Sequence, residues 1–257
     1  MNILVAAFYA DIPGKPSRLD EFLPLILASK RALAITNPSA RYLILTDNST
    51  SKLLMRFNFL GKSNIEFNVM TPDNMPLMLK IIFAQRLLMA TSFADLIVLP
   101  DVDCIANRNL EEAIPKNVGL AITHRGKKFE YKINNLAYVR DKELAFWFFD
   151  RAYNILKGWP REKQEWEGDQ ESWQSALAPP LAATSWYDFE DLGDDILVSR
   201  PNGKEIYLYP YRTHNCFMND GGVFQPTHEN AYMVHFKGLR KQHLDKWMQH
   251  RFGCVSV

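Results

Sequence analysis

Leu96-Ile97-Val98-Leu99 is a run of bulky and β-branched residues with no polar face, and after Pro100 it gives way to Asp101-Val102-Asp103, two carboxylates one residue apart. A run without alternation reads as a short strand covered on both sides, of the kind found inside a parallel sheet. In open α/β sheets the ligand crevice lies outside the carboxyl ends of the strands, so both acids stand where chemistry is done. Carboxylates this close repel unless a cation lies between them, and oxygen donors at that spacing suit Mg²⁺ or Mn²⁺. Such an ion keeps few protein ligands and completes its shell with water and substrate phosphate. Asp-X-Asp alone equally describes loop acids that cap the next helix, because Asp favours turns and caps. The strand in front of the pair favours the ligand reading.

The segments before this run repeat one unit. Ile3 to Phe8 is a compact apolar strand that leaves through the turn cluster Tyr9-Ala10-Asp11-Ile12-Pro13-Gly14. Leu19 to Thr36 carries apolar residues at helical spacing and is stopped by Asn37-Pro38-Ser39. Arg41 to Thr46 is a second strand ending at Asp47, Ser49 to Leu60 a helix, Ile65 to Met70 a third strand, and Pro72 to Thr91 the helix that leads into the opening run. Repeated strand and helix units predict an α/β protein with a mostly parallel central sheet flanked by helices. An acid ending the second strand of such a unit commonly meets ribose or a base edge, which makes Asp47 a nucleotide-site candidate. No Gly-x-Gly-x-x-Gly or Walker pattern follows any of these strands, which argues against a dinucleotide-dependent oxidoreductase and a P-loop NTPase.

Further along, Val118 to Thr123 and Ile133 to Arg140 read as strands, and Lys142 to Leu156 as an amphipathic helix whose Trp and Phe residues are core. Gly158 to Glu167 reads as an exposed loop that presents Trp159 and Trp166. Gly168-Asp169-Gln170 opens a helix from Ser172 to Leu177, with Asp169 either its N-cap or a second functional carboxylate. The cluster Asp188, Glu190, Asp191, Asp194 and Asp195 lacks calcium-loop spacing and reads as a solvated loop. Glu205 to Tyr211 is a strand, and Thr213 to Gly222 reads as a flexible lid.

With 257 residues and an even apolar spread, the chain predicts one domain. A net charge of +1 implies no strong nucleic-acid field, but from Asp141 to Asp195 acids lead bases 13 to 5, whereas from Lys204 to Val257 bases lead 7 to 4 and five of the six histidines occur. A basic, His-rich end facing an acidic metal pair suits an anionic diphosphate between them. Cys104, Cys216 and Cys254 are odd in number and widely spaced, and read as reduced thiols of a cytoplasmic protein. The first residues lack the basic and apolar regions of a signal peptide, and no run is long enough to span a bilayer, so any membrane contact is expected to be peripheral.

Lys80 on its helix, followed by Phe93-Ala94-Asp95-Leu96-Ile97-Val98-Leu99-Pro100-Asp101-Val102-Asp103, resembles the donor-binding core of the GT-A glycosyltransferases, which use nucleotide sugars. Ala231-Tyr232-Met233-Val234-His235-Phe236-Lys237-Gly238 resembles the His-Phe-x-Gly segment of the glycogenin-like, retaining group of that family. The resemblance implies a metal-dependent transferase on a single Rossmann-like GT-A domain, residues 1–105 its nucleotide-binding part and 106–257 its acceptor-binding part, with Trp159 and Trp166 placed to stack on acceptor sugar rings. It implies that Asp101, Asp103 and His235 hold Mn²⁺ or Mg²⁺, and that Lys237 and Gly238 touch the diphosphate. Phe8, Tyr9, Asp11, Asp47, Lys80, Asp101 and Val102 would contact the donor. Asn134, with Asn135, would meet sugar hydroxyls, although the glycine usual after the Asn is replaced near Leu136. Asp169 would act on the acceptor or stabilise an oxocarbenium-like centre, the His235 segment favouring retention.

The donor is expected to be a nucleoside-diphosphate sugar, UDP-linked by analogy. The acceptor is left open among saccharide, protein, small molecule and nucleic acid. Two rivals stand beside this reading. A sugar-nucleotide nucleotidyltransferase would carry a glycine-rich basic loop after the first strand, where Gly14-Lys15-Pro16 is sparse. A non-catalytic nucleotide- or sugar-binding module could share the fold, because fold does not settle function.

Overall fold

The computed structural model describes residues 1–12, 14–59, 65–126, 132–166, 168–177 and 189–254. The chain begins β1 (Ile3–Phe8), α1 (Leu19–Thr36), β2 (Arg41–Asp47), α2 (Asn48–Phe59), β3 (Glu66–Thr71), α3 (Leu77–Thr91) and β4 (Leu96–Pro100). It continues through β5 (Cys104–Ala106), β6 (Leu120–His124), β7 (Ile133–Val139), α4 (Lys142–Lys157), α5 (Arg161–Glu165) and α6 (Gly168–Leu177). Then come β8 (Phe189–Asp191), β9 (Leu197–Ser199), β10 (Ile206–Pro210), α7 (Tyr211–His214), β11 (Cys216–Phe217), α8 (Pro226–Asn230), β12 (Met233–His235) and α9 (Leu244–Phe252).

Among the described residues nine strands form one sheet in the order β3-β2-β1-β4-β7-β6-β10-β9-β8. The half built from the first βα units is parallel, as the strand and helix alternation predicts. Beyond β4 the sheet is mixed: β7 runs antiparallel to both β4 and β6, and β10 returns parallel to β6. The change of direction follows from connection length. β6 ends at His124 and β7 begins at Ile133, a separation in sequence shorter than the dozen or so residues that a parallel crossover needs, so the two neighbours pair antiparallel.

β1 shows how the sheet is covered. Leu4 and Ala6 face the core formed with α3, α4 and α6, while Ile3, Val5 and Ala7 face the core formed with α1. That is why its sequence shows no polar alternation. The aromatic residues of α4 divide as the amphipathic reading requires: Phe148 and Phe149 are buried against Trp173 of α6, and Phe146 is exposed. Trp159 is half-buried and packs against this core.

A small second sheet, in the order β11-β12-β5, ties the end of the chain to its middle. Its apolar back, with Val234 and Phe236, packs with Trp247 and Met248 of α9 against Leu25, Ala28 and Ala32 of α1. This corrects the expected lid at residues 213–222. Cys216 and Phe217 pair with Val234 and His235, and Met218 is fully buried, so the segment is part of the fold. The acidic stretch is also more ordered than a loop. Glu190 and Asp191 lie on β8, which forms a hairpin with β9 at the sheet edge, and Glu190 pairs with Arg200; Asp188 lies outside the described residues. No helix among the described residues is long and apolar enough to cross a membrane.

Candidate active site

Asp101 and Asp103 leave the carboxyl end of β4, and β5 then pairs antiparallel with β12, placing Cys104 opposite His235. The backbone N–H of Phe236 donates to the Asp103 carbonyl at 2.9 Å, which locks this register. His235 Nε2 therefore stands 2.9 Å from Asp103 Oδ1 and 3.6 Å from Asp101 Oδ2. The ring is 1% exposed, yet neither of its nitrogens finds an aligned hydrogen-bond partner among the described residues. Buried polar atoms are nearly always paired, so an imidazole left open between two carboxylates fits a cation site.

The electrostatics agree with that. Burial pushes Asp101 up to about 7, with Asp103 and Asp169 adding repulsion against the relief from His235 and Lys237. Burial acts on Asp103 too, but there the neighbouring His235 outweighs it and holds the carboxyl below its ordinary value. A divalent ion would remove the strain of three acids gathered around one point. Cys104 is the neighbour that sequence spacing did not single out: its sulfur, an Asp103 oxygen and a His235 nitrogen lie within 4.8 Å of one another. Burial and the adjacent acids push its thiol well up, and Sγ donates to Asn215 Oδ1 at 3.5 Å, so it stays a neutral thiol. The oxygen donors Asp101 and Asp103 with His235 are the set that suits Mn²⁺ or Mg²⁺.

Lys237 follows directly, exposed and with no counter-ion among the described residues, and its charge acts on Asp101 and Asp169. Gly238 has φ 65°, a left-handed conformation that glycine adopts without cost, and the space beside its Cα is open. Arg240 and Lys241, on the 3₁₀ turn that follows, are paired with Asp220 and Glu21. On the far wall Asp169 sits in the first turn of α6, buried, with Oδ2 accepting from Asn135 Nδ2 at 2.5 Å and Oδ1 from the Gln170 N–H at 2.8 Å. Burial raises its carboxyl, and those two donors offset part of the rise. Asn135 is thus the amide that meets the acids. Asn134 points to the opposite face of β7, 1% exposed, with both amide atoms unpaired among the described residues.

At the exit of β1, Tyr9 donates to Asp11 Oδ1 at 2.7 Å, and the Arg18 N–H donates to the same oxygen at 3.1 Å. Phe8, Tyr9, Asp11, Arg18 and Phe22 line a cavity of about 170 Å³. Trp166, 64% exposed, lines the same cavity. This moves Trp166 from the acceptor side, where sequence reading put it, to the β1 side.

The other expected donor contacts turn inward. Asp47 and Lys80 form an ion pair, with side chains 0% and 1% exposed, and Asp47 Oδ1 also accepts from the Thr50 N–H at 2.9 Å. Burial alone would raise Asp47; the Lys80 ammonium and Thr50 together hold it below its ordinary value. Both side chains are thus occupied with each other inside the protein. Val102 is turned into the apolar layer with Tyr9 and Cys104, which leaves only its backbone for a ligand.

No protein-family model matches the chain, and no curated protein is significantly similar to it. Among solved structures it is similar to a glycosyltransferase involved in the glycosylation of the major capsid of PBCV-1, at 12% identity over 94% of this chain and 97% of that one, with a TM-score of 0.48. It is similar to galactosyltransferase LgtC in complex with donor and acceptor sugar analogues, at 13% identity over 93% and 87% of the two chains, TM-score 0.48. A third likeness is to apo-form glycosyltransferase GlyE of Streptococcus pneumoniae TIGR4, at 12% identity over 68% of this chain and 42% of that one, TM-score 0.43. Likenesses at this level carry no residue roles across.

Proposed function

We propose that this chain is a metal-dependent glycosyltransferase that moves a sugar from a nucleoside diphosphate to an acceptor hydroxyl. The observation that carries the reading is the meeting of Asp101, Asp103 and the buried imidazole of His235 at the carboxyl end of β4. A divalent cation held there would neutralise charge on the departing diphosphate. Lys237, two residues after His235, would share that load, and the open backbone at Gly238 allows phosphate oxygens to approach closely. The cavity beside Tyr9, Asp11 and Trp166 takes the nucleoside, its aromatic walls stacking on the base.

In the transfer, the bond between the anomeric carbon and the phosphate oxygen breaks, and a bond from the acceptor oxygen to that carbon forms. Asp169 faces the reacting centre. Its raised affinity for a proton suits it to take the acceptor proton, giving inversion. In the retaining alternative the leaving phosphate takes that proton and Asp169 stabilises the cationic sugar. The resemblance of the His235 segment to the glycogenin-like group favours retention, and the free thiols favour a cytoplasmic setting.

The test is incubation with Mn²⁺ and a panel of nucleotide sugars, scoring donor turnover and thermal shift, with product configuration read by NMR. Metal-dependent turnover of at least one donor is the expected result. No metal-dependent response to any donor sinks the proposal.

A further inference from the structure

The carboxyl edge of the main sheet lays out the cleft in strand order. The nucleoside cavity stands at the exit of β1, the metal pair at the exit of β4, and β7 and β6 come next. β6 runs parallel to β4, because each is antiparallel to β7, and Leu99 and Ile122 both face Ala137. The residue just beyond β6 therefore leaves the sheet at the same edge as Asp101, about 10 Å further from the nucleoside side at the usual strand spacing. That residue is Arg125.

Its side chain reaches back over the site. The Arg125 guanidinium lies 5.6 Å above the centre of the Phe217 ring, and the Phe217 ring is 4.9 Å from the ring of His235. Arg240 approaches the same Phe217 ring at 5.7 Å, but it is already paired with Asp220. Arg125 has no carboxylate partner among the described residues, and its buried Nε has no hydrogen-bond acceptor among them. A guanidinium cannot shed its proton, so a half-buried one calls for an anion. The aromatic ring takes up one face of the fork and leaves its in-plane N–H groups for a ligand.

We infer that Arg125, seated on Phe217, is an acceptor-specificity residue, and that the acceptor carries an anionic group, carboxylate or phosphate, beside its reacting hydroxyl. The inference rests on the glycosyltransferase reading. The donor's own diphosphate is met at β4, so a group that reaches Arg125 lies beyond the transferred sugar. A planar fork pairs with carboxylate or phosphate oxygens in a geometry that a neutral sugar hydroxyl cannot match.

The experiment measures donor turnover with Mn²⁺ while titrating glucuronic acid, glucose 6-phosphate or glucose at matched ionic strength. In the wild type at least one of the two anionic probes alters turnover, as acceptor or as blocker, at a concentration roughly 10- to 100-fold lower than glucose, the contribution of one charge-assisted hydrogen bond. The more potent of the two anions identifies the carboxylate or the phosphate class. In Arg125→Gln the preference for anion over glucose collapses, and Arg125→Lys restores part of it. The preference is a ratio within one protein, so a general loss of fold or activity does not mimic the result. Turnover that all three probes leave unchanged, or that glucose alters as readily as the anions, overturns the inference, as does a preference that survives in Arg125→Gln. Absence of any donor turnover in the wild type fails the glycosyltransferase reading first, and this inference with it.

Discussion

Lys80 and Asp47 are paired with each other inside the protein, a lysine on α3 reaching the end of β2 where neither side chain meets solvent. Two charges removed from water are stable only while each satisfies the other. Lys80→Met strands the carboxylate and is expected to cost about 3–5 kcal/mol, whereas the double change Lys80→Met with Asp47→Leu recovers most of that loss. Urea unfolding midpoints of the two variants check it. Equal loss in the single and double variants would show that the pair is not the source.

Removal of a metal-pair ligand separates site from scaffold. Asp103→Ala is expected to lower metal-dependent donor turnover by about 100-fold or more. It is also expected to abolish the upward thermal shift on adding Mn²⁺, since a ligand that binds only the folded state no longer does so. Undiminished turnover in this variant would remove the metal mechanism.

Asp169→Asn keeps the size of the side chain and removes its charge and basicity. If Asp169 acts on the acceptor as proposed, kcat is expected to fall about 100- to 10,000-fold with donor KM little altered. Steady-state kinetics over donor concentration tests this. A rise in KM alone would place Asp169 in donor binding.

His214 gives the fold an acid sensitivity. It is 6% exposed, with Nε2 donating to the Ala113 carbonyl at 2.8 Å, and burial holds its pKa down to about 4. The unfolded chain binds this proton near pH 6.5, so between about 6.5 and about 4 the unfolded state carries more protons and stability falls as pH falls. The loss reaches about 3 kcal/mol at the lower end and then stops growing. Urea unfolding from pH 7.5 to 4 is expected to show the decline, and His214→Gln to flatten it.

Trp166 is expected to report nucleotide binding. Placed on the cavity beside Tyr9, its fluorescence should change on adding a nucleoside diphosphate with Mn²⁺, and Trp166→Ala should raise donor KM roughly 2- to 10-fold, the contribution of one aromatic contact. A signal that follows acceptor instead would return this residue to the other side of the cleft.

The sequence made most of the parallel half of the sheet legible because β1, β2 and β4 each carry a compact apolar run and helical spacing lies between them, whereas β3 at the edge, Glu66–Thr71, is largely exposed. α1 occupies Leu19–Thr36 as its spacing predicts, and β4 ends where Asp101 begins. The meeting of Asp103 and His235 was legible only through short motifs, since nothing in local spacing says that β5 and β12 pair. Lys80 and Asp47 each look like a ligand contact when read alone, and only the fold brings them to one another. Residues 213–222 read as a lid because polar and glycine residues resemble a loop, yet two of them complete a strand pair. Arg125 carried no local signal of position, because it follows β6, whose direction is set by pairing with β7 and β10; Trp166 follows the short helix α5, whose placement against the β1 exit is a tertiary contact.

The backbone pairing of Cys104 with His235 also sets a timetable for the chain. During synthesis the βα units can collapse as they emerge, but the two acids stay without their imidazole until translation has passed Phe236. The cluster of two acids and one imidazole therefore exists for almost none of the time the chain is being made, and it is completed late, when β12 docks.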